Sequence, residues 1–318
     1  MNVQSSMSRR YAVLGTGAVG GFYGARLQRA GAEVHFLARS DYEQIARAGL
    51  RVQSPEGDFH LSDVRVYRQA TAMPPCDVVL VALKTTQNAL LAELLPPALK
   101  PGGTVVLLQN GMGSEQQVAA IVDKETPILG GLTFICANKI GPGLVQHIDY
   151  GIVTLGAYAH DEAALGVTAP MAAVAADLQT AGIPVQLAED LQLARWSKLI
   201  WNIPFNGLSV LLEAKTDELM SDPATAELAK ELMEEVVAGA LACGRRIPED
   251  FIDKMLDHTR RMQPYRTSMK LDYEQGRELE LEAIYATPLR TARAAGFEMV
   301  RVGVLYRQLQ FLDGRQRA

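Results

Sequence analysis

The pattern of apolar positions divides the chain into two parts of different structure. In the first part, continuous apolar runs of the kind found in buried parallel strands alternate with helix-like segments. From Glu189 onward such runs nearly vanish, and Leu, Ala, Glu and Arg at helical spacing dominate. The pattern therefore predicts an α/β domain over residues 9–187, followed by an all-helical C-terminal domain over residues 188–318.

Strand and helix signals also give expectations for individual elements of the first part. Residues 11–14, 33–37, 77–83 and 104–108 read as parallel strands, with shorter strands at 128–131 and 184–187. Residues 144–146 and 152–155 are predicted to form an antiparallel pair that completes the sheet. A helix is expected from about Asp161 to Ala181.

The first strand leads into a Gly-x-Gly-x-x-Gly sequence that opens a helix. Gly15 permits a tight turn, Gly17 lets the backbone approach a pyrophosphate, and Gly20 allows the helix to pack closely on the strand. The unpaired amides at the helix start favour binding of a diphosphate. This context favours a Rossmann-type dinucleotide-binding domain over a purely structural glycine turn. The predicted cofactor-binding loop consists of Gly15, Thr16, Gly17, Ala18, Val19 and Gly20.

Polar residues that follow the next strands indicate the choice of cofactor. No Asp or Glu follows the second strand directly, whereas Arg39 lies about where a guanidinium would meet the 2′-phosphate of NADP. The alternative is an exposed arginine at the end of a strand. Lys84, Gln87 and Asn110 follow two further buried strands, and the carboxyl edge of such a sheet is where ligands bind. For Lys84, a solvated loop lysine is the alternative.

Composition excludes several classes of protein. Of the 318 residues, 48% are hydrophobic and 21% are charged, and there is no apolar run long enough to span a membrane. A net charge of −5 with scattered basic residues argues against a nucleic-acid partner. The three cysteines lack metal-binding spacing, the five histidines are dispersed, and the first ten residues lack the apolar core of a signal peptide. We therefore expect a cytoplasmic protein without a metal site.

The first helix of the C-terminal part contains the candidate catalytic residues. Lys198, Asn202 and Asn206 are spaced by four residues and so line one face of an otherwise apolar helix, in which Pro204 interrupts the hydrogen bonding. An ammonium group in such a position suits a reductase, because it can stabilise the charge that develops on a ketone oxygen and donate the proton. A lysine whose head group reaches solvent is the alternative for Lys198.

Several motifs, in the same order, carry a resemblance to a known family. They are Gly15-x-Gly17-x-x-Gly20, Leu83-Lys84 with Gln87, Asn110-Gly111-Met112-Gly113, Trp196-x-Lys198-Leu199-x-x-Asn202-x-x-x-Asn206, and Ser268-Met269 through Asp272, Gly276-Arg277 and Glu280. Over essentially its whole length the chain resembles the ketopantoate reductase family. The resemblance implies an NADPH-dependent reductase of 2-dehydropantoate in pantothenate biosynthesis, with its substrate between a Rossmann domain and a helical domain.

The resemblance also assigns roles to individual residues. It implies that Lys198 is the general acid and that Glu280 orders either Lys198 or the cofactor ribose. It further implies that Asn110, Lys198, Asn202, Asn206 and Ser268 bind the substrate, and that Arg39, Lys84, Gln87 and Asn110 contact NADPH. From spacing alone, Ser268 and Glu280 would be interpreted as a surface serine and a solvated acid. A homodimer is left open.

Two departures from the family pattern bear on the substrate. Where many members have Asn-Gly after the glutamate, this chain has Tyr285-Ala286, and where some members have an asparagine before the serine it has Tyr265. Both changes are expected to add bulk near the substrate end of the site. The alternatives are therefore a reductase of a different 2-oxo acid, or a regulator that binds NADP without catalysis.

Overall fold

The structure, a computed structural model, describes residues 7–317. The chain divides into two compact units: the first extends to Gln109 and resumes over Ser114–Leu191, and the second comprises Asn110–Gly113 and the chain from Gln192 onward. The first unit is α/β and the second is helical. The predicted fold class is therefore confirmed. Within the described part of the chain, no helix combines the length and the hydropathy needed to cross a membrane.

The first unit is built on one mixed sheet of ten strands. The strands are β1 (Arg10–Leu14), β2 (Glu33–Leu37), β3 (Leu50–Gln53), β4 (Phe59–Leu61), β5 (Arg65–Tyr67), β6 (Cys76–Val81), β7 (Leu99–Leu107), β8 (Ile128–Gly141), β9 (Leu144–Ala157) and β10 (Val185–Ala188). The helices are α1 (Ala18–Arg29), α2 (Tyr42–Ala48), α3 (Leu91–Ala98), α4 (Ser114–Ala119) and α5 (Ala169–Thr180). The strand order is β4-β3-β9-β8-β7-β6-β1-β2-β5, with β10 paired to β9.

The parallel strands β7, β6, β1 and β2 are aligned so that their carboxyl ends share one edge. Leu14 at the end of β1 lies opposite both Leu37 of β2 and Val81 of β6, and Val81 lies opposite Leu107 of β7. Loops that leave these four strands therefore begin side by side. A ligand site in an open α/β sheet is expected at this edge.

Both faces of the central strands are buried, which explains their continuous apolar character. Side chains alternate between the faces of a strand, so Tyr11 and Val13 join one apolar cluster while Ala12 and Leu14 join another. All four residues are fully buried. The apolar run that looked like a parallel strand in the sequence is thus covered by helices on both sides.

The prediction for residues 144–155 is wrong in its pairing. Residues 144–146 and 152–155 belong to the single strand β9, which runs antiparallel to β8. The turn of this hairpin lies at Gly143, whose φ of +64° suits a glycine. Between the two predicted strands, Tyr150 and Gly151 have φ values of +62° and +126°, and this segment shifts the register without reversing the chain.

The helix expected from Asp161 begins later than predicted. It is α5, which starts at Ala169 and carries Pro170 in its first turn. Thr168 is its N-cap, and the threonine side chain accepts a hydrogen bond from the Met171 amide at 3.4 Å. The proline and the cap therefore set the start of the helix at this point.

The second unit consists of helices around one apolar core. The helices are α6 (Leu191–Leu211), α7 (Thr216–Ser221), α8 (Pro223–Ala242), α9 (Phe251–Arg261), α10 (Ser268–Glu274), α11 (Thr287–Ala294) and α12 (Val300–Arg317), with a π-helical turn at Glu282–Ala286. The core includes Trp196, Ile203 and Phe205 from α6. Helix α6 thus supplies both core side chains and the polar residues predicted to act in catalysis.

Candidate functional site

The glycine turn after β1 has little room for side chains at two of its three positions. Gly15 has a φ of +100°, and a Cβ atom there would lie 2.9 Å from the backbone carbon of Ala82. A Cβ atom on Gly20 would lie 2.1 Å from the carbonyl oxygen of Gly15. Residues larger than glycine would therefore force the turn away from β6 or push α1 off the strand.

Gly17 differs from the other two glycines because it faces open space. A Cβ atom built there meets no atom within 4 Å, and Gly17 is the N-cap of α1 without a side-chain cap. The first amides of a helix have no carbonyl of their own helix to bond. Next to Gly17, the hydroxyl of Thr16 donates to the carbonyl oxygen of Leu37 at 3.0 Å, which fixes the loop to the end of β2. This arrangement suits an anionic group at the start of α1.

The loops after β2 and β6 begin at the same sheet edge as the glycine turn. Arg39 is exposed and lies two residues beyond the end of β2. Lys84 is partly buried, follows β6 and precedes a 3₁₀ helix that contains the exposed Gln87. Of the predicted cofactor contacts, the structure thus brings the glycine loop, Arg39 and Lys84 to one edge.

Asn110 belongs to the helical unit, although it follows β7 in the chain. The Asn110–Gly113 segment is held there by the Met112 amide, which donates to the carbonyl oxygen of Ala283 at 2.9 Å. Gly111 has a φ of +84°, and a Cβ atom there would lie 2.4 Å from the same oxygen. The glycine is therefore needed for the close approach of the two backbones.

Helix α6 places Lys198 in an electrostatically unusual environment. The pKa of Lys198 is lowered from 10.5 to about 7. Burial is the largest cause, the nearby Arg195 guanidinium acts in the same direction, and Glu280 acts in the opposite direction. Arg195 and Glu280 are themselves buried, at 2% and 4% exposure. A lysine with a pKa near neutrality can both hold and release a proton at working pH.

The sequence interpretation did not single out Arg195. Its signal was available, because a residue three positions before Lys198 on a helix lies next to it. A buried like charge at that position disfavours the protonated lysine.

Asn202 and Asn206 are buried, at 6% and 2% exposure. The Nδ2 atom of Asn202 has no hydrogen-bond partner among the described residues. An unpaired buried amide costs free energy of about 1–3 kcal/mol, and such a group in a native protein calls for an explanation, such as a catalytic role or a bound water or ion. Asn202 therefore has a free donor on the same helix as Lys198, four residues away.

A chain of hydroxyl contacts links α6 to the start of α10. The Ser209 hydroxyl donates to the Asn206 carbonyl oxygen at 3.0 Å and lies 2.7 Å from the Thr267 hydroxyl. Thr267 in turn caps α10 by accepting the Lys270 amide at 3.1 Å. Ser268, the first residue of α10, is thereby fixed relative to the Asn206 turn of α6.

A cavity of about 390 Å³ lies at the opposite edge of the sheet, at the amino ends of the strands. Its charged residues pair with one another, since Arg10 contacts Glu33 and Lys100 contacts Asp77, each at 2.8 Å. Because the cavity lies at the amino ends of the strands, it is remote from the glycine turn at their carboxyl ends.

Among residues 7–317, no group of three or more His, Cys, Asp or Glu side chains is placed to hold a metal ion.

Comparison with known proteins identifies the family of the chain. The sequence model described as ketopantoate reductase PanE/ApbA matches residues 11–160, and the model for the C-terminal domain of the same family matches residues 190–313. The chain belongs to the ketopantoate reductase family. It is accordingly an oxidoreductase, and the resemblance stated from its motifs is confirmed.

Relatives within the ketopantoate reductase family match over nearly their whole length. A 2-dehydropantoate 2-reductase of a Nostoc species is 55% identical over 309 residues, which is 97% of each chain. The crystal structure of 2-dehydropantoate 2-reductase from Geobacter metallireducens superimposes with a TM-score of 0.90 at 41% identity, over 95% of this chain and 99% of that one. The fold is also that of D-mandelate dehydrogenase, described in a ternary structure with NADH and anilino(oxo)acetate, with a TM-score of 0.86 at 20% identity over 97% of this chain and 100% of that one.

The first of the two departures from the pattern of this family, Tyr285, lies in the core of the helical unit. Tyr285 is fully buried in the helical core, and its hydroxyl donates to the carbonyl oxygen of Ile203 at 2.8 Å. Gly207 leaves room for that hydroxyl, because a Cβ atom there would lie 2.8 Å from it. The ring of Tyr285 thus packs inside the helical unit, and its effect on the substrate end of the site remains a prediction.

The second departure, Tyr265, remains partly exposed. Its amide donates to the Thr216 hydroxyl and its carbonyl oxygen accepts the Thr216 amide, both at 3.2 Å. These two bonds fix the backbone before α10 to the start of α7. The effect of the Tyr265 side chain on substrate choice remains a prediction.

Replacing Tyr285 by Phe is expected to destabilise the protein by about 1 kcal/mol. The substitution removes the buried hydrogen bond to Ile203, but the ring stays in place, so no large cavity forms. Urea unfolding measures this change. The matched control is Tyr306→Phe, since Tyr306 stacks on Tyr285 and its hydroxyl accepts a hydrogen bond from Gln310 on the surface. A changed preference among 2-oxo acids in Tyr285→Phe would contradict the structural role.

Proposed function

We propose that the chain catalyses the NADPH-dependent reduction of 2-dehydropantoate to pantoate, a step of pantothenate biosynthesis, in the cytoplasm. The observation that carries this proposal is Lys198, an ammonium group of lowered pKa on the same helix as the unpaired amide of Asn202. Relatives named 2-dehydropantoate 2-reductase, including the Nostoc protein at 55% identity, support the choice of substrate.

The residues at the carboxyl edge of the sheet fit NADPH. The open face of Gly17 and the uncapped start of α1 suit the pyrophosphate, and the exposed Arg39 suits the 2′-phosphate. Lys84 and Gln87 follow the neighbouring strand and complete the proposed contacts. When bound, the coenzyme supplies the hydride that reduces the carbonyl carbon.

The proton comes from Lys198 in this proposal. As the carbonyl oxygen gains negative charge, the ammonium group stabilises that charge and then transfers its proton, which yields the hydroxyl group of the product. Because burial and Arg195 lower the pKa of Lys198 to about 7, transfer to an alkoxide is strongly favourable. Glu280, which favours the charged form of the lysine, orients it and keeps it protonated.

The amide and hydroxyl groups near Lys198 bind the substrate in this proposal. Asn202 donates its unpaired Nδ2 to the substrate, because a buried donor without a partner favours a ligand acceptor. Asn206 and Ser268, fixed to each other through Ser209 and Thr267, contact the remaining polar groups. Asn110 contacts both the substrate and the coenzyme in this proposal.

Steady-state kinetics with the purified full chain test the proposal. We expect NADPH oxidation with 2-dehydropantoate, and a kcat/KM higher than for other 2-oxo acids, including aromatic ones. A higher kcat/KM for another 2-oxo acid would identify that acid as the substrate instead. Tyr265, which departs from the family pattern, is the residue that motivates this alternative. Absence of turnover with every 2-oxo acid, together with tight NADPH binding, would favour a non-catalytic regulator.

The pH dependence of the reaction follows from the pKa of Lys198. The lysine must be protonated to act as the acid, so its active form predominates below about pH 7. Above that value the protonated fraction falls about tenfold per pH unit. We expect kcat/KM for reduction to be level below pH 7 and to decline with rising pH above it. A profile that stays level to pH 9 would contradict the role of Lys198.

A homodimer is also part of the proposal. A ketopantoate reductase from Staphylococcus aureus, described as dimeric, shares the fold at 21% identity and a TM-score of 0.80. Light scattering of the purified chain distinguishes a dimer from a monomer.

A further inference from the structure

Two residues of opposite charge follow β2, where coenzyme specificity is decided in this kind of domain. Arg39 is exposed, whereas Asp41 is only 4% exposed. An uncompensated carboxylate at this place would repel the 2′-phosphate of NADPH. The nearness of Asp41 to Arg39 in the chain therefore calls for a compensating group.

That group is Lys139. Its Nζ atom lies 2.8 Å from Oδ1 of Asp41, which also accepts a hydrogen bond from the Ser40 hydroxyl at 2.9 Å. The Gly143 amide donates to the other oxygen, Oδ2, at 3.1 Å. Both oxygens are thus engaged, and a ribose hydroxyl would have to compete with these donors.

Asp41 is ionised in this environment. Burial by itself raises the pKa of Asp41, but hydrogen bonds from Lys139, Gly143 and Ser40 together lower it below its usual range. Its negative charge is therefore present at neutral pH and is balanced by the ammonium group of Lys139.

The capping of α2 does not explain the carboxylate. Asp41 stands at the N-cap position of α2, where an aspartate side chain commonly accepts an amide of the first turn. Here the side chain makes no such bond and is directed to Lys139 and Gly143 instead. Its main contacts are thus with a distant part of the chain.

The β8–β9 hairpin brings Lys139 to this place. Only residues 128–130 of β8 pair with β7, and the rest of the strand runs past the edge of the parallel strands. Lys139 is nine residues beyond Gly130, which corresponds to roughly 30 Å of extended chain. The tip is held by the Arg51 amide, which donates to the Gly143 carbonyl oxygen at 2.8 Å. Lys139 is therefore held in position by a hairpin whose tip is fixed to β3.

We propose that Lys139 determines coenzyme specificity by neutralising Asp41, so that Arg39 meets the 2′-phosphate of NADPH without opposition from a neighbouring carboxylate. This inference rests on the proposed NADPH dependence. Lys139 is a positioning residue, because it acts through Asp41.

Titration of the full chain with NADPH and with NADH tests the inference. Lys139→Met is expected to raise the Kd for NADPH about tenfold, because the charge of Asp41 is then uncompensated, and to change the Kd for NADH by less than about twofold. The double variant Lys139→Met/Asp41→Asn is expected to regain most of the NADPH affinity, since the charge is removed together with its partner. Lys139→Arg, which keeps the charge, is the matched control.

The outcomes separate the inference from the proposed coenzyme. A wild-type protein without preference for NADPH would overturn the proposed coenzyme and, with it, the role of Lys139. A wild-type preference that is unchanged in Lys139→Met, or an equal loss of both coenzymes, would overturn the role of Lys139 alone. Should Lys139→Met fail to fold, Asp41→Asn decides: retained or increased NADPH affinity supports the inference, and a tenfold loss overturns it.

Discussion

Replacing Lys198 by alanine is expected to lower kcat by about a hundredfold or more, as removal of a general acid commonly does. The residual reaction would have to take its proton from water, and the charge on the carbonyl oxygen would lose its ammonium partner. Because the glycine loop and Arg39 belong to the other unit, we expect NADPH to bind this variant normally. Single-turnover and steady-state rates with 2-dehydropantoate measure the effect.

Two further variants sharpen this test. Lys198→Arg keeps a positive charge but releases its proton far less readily, so it is expected to remain slow. Lys230→Ala, which removes a lysine of α8 paired with Glu234 at 3.9 Å, is the matched control and is expected to keep full activity. Near-normal turnover of Lys198→Ala would exclude the lysine as the proton donor.

Replacing Gly20 by alanine is expected to destabilise the protein by about 3 kcal/mol, near the upper end for overpacked substitutions. The added methyl group would lie 2.1 Å from the Gly15 carbonyl oxygen and 2.9 Å from the Ala82 side chain, so α1 or the turn must move. The coenzyme loop would move with it, and NADPH affinity is expected to fall as well. Urea unfolding and NADPH titration measure the two effects.

Gly17→Ala is the matched control for this prediction. Its methyl group meets nothing within 4 Å and its φ of −85° is open to alanine, so stability is expected to change by less than about 0.5 kcal/mol. NADPH affinity should still fall, because the methyl group occupies space beside the start of α1. Equal destabilisation by both variants would contradict the packing argument for Gly20.

The sequence was sufficient for the features that depend on neighbouring residues. The Gly15–Gly20 turn and the buried strand before it follow from positive φ, close packing and continuous apolar character. The face of α6 that carries Lys198, Asn202 and Asn206 follows from helical spacing. Each signal lies within about twenty residues of chain.

Local patterns were misleading where only long-range pairing decides the role of a segment. Residues 144–146 and 152–155 read as two antiparallel strands, but both belong to β9, and the chain reverses before them at Gly143. The pairing of β9 with β8 along its length decided this. Tyr285 likewise read as a change at the substrate end, and only the packing of its ring beside Gly207 places it in the core.

The sequence by itself determined the alternating α/β part, the glycine turn, the helical second part and the spacing of the lysine and the two asparagines, because periodicity and backbone preferences act over short stretches of chain. Only the tertiary structure decided that Lys139 neutralises Asp41, 98 residues away, and that Tyr285 bonds to Ile203, 82 residues away. It also decided that Glu280, which is distant in the sequence, raises the pKa of Lys198. These contacts depend on strand register and on the packing of distant elements, and their energies arise only when the chain is folded.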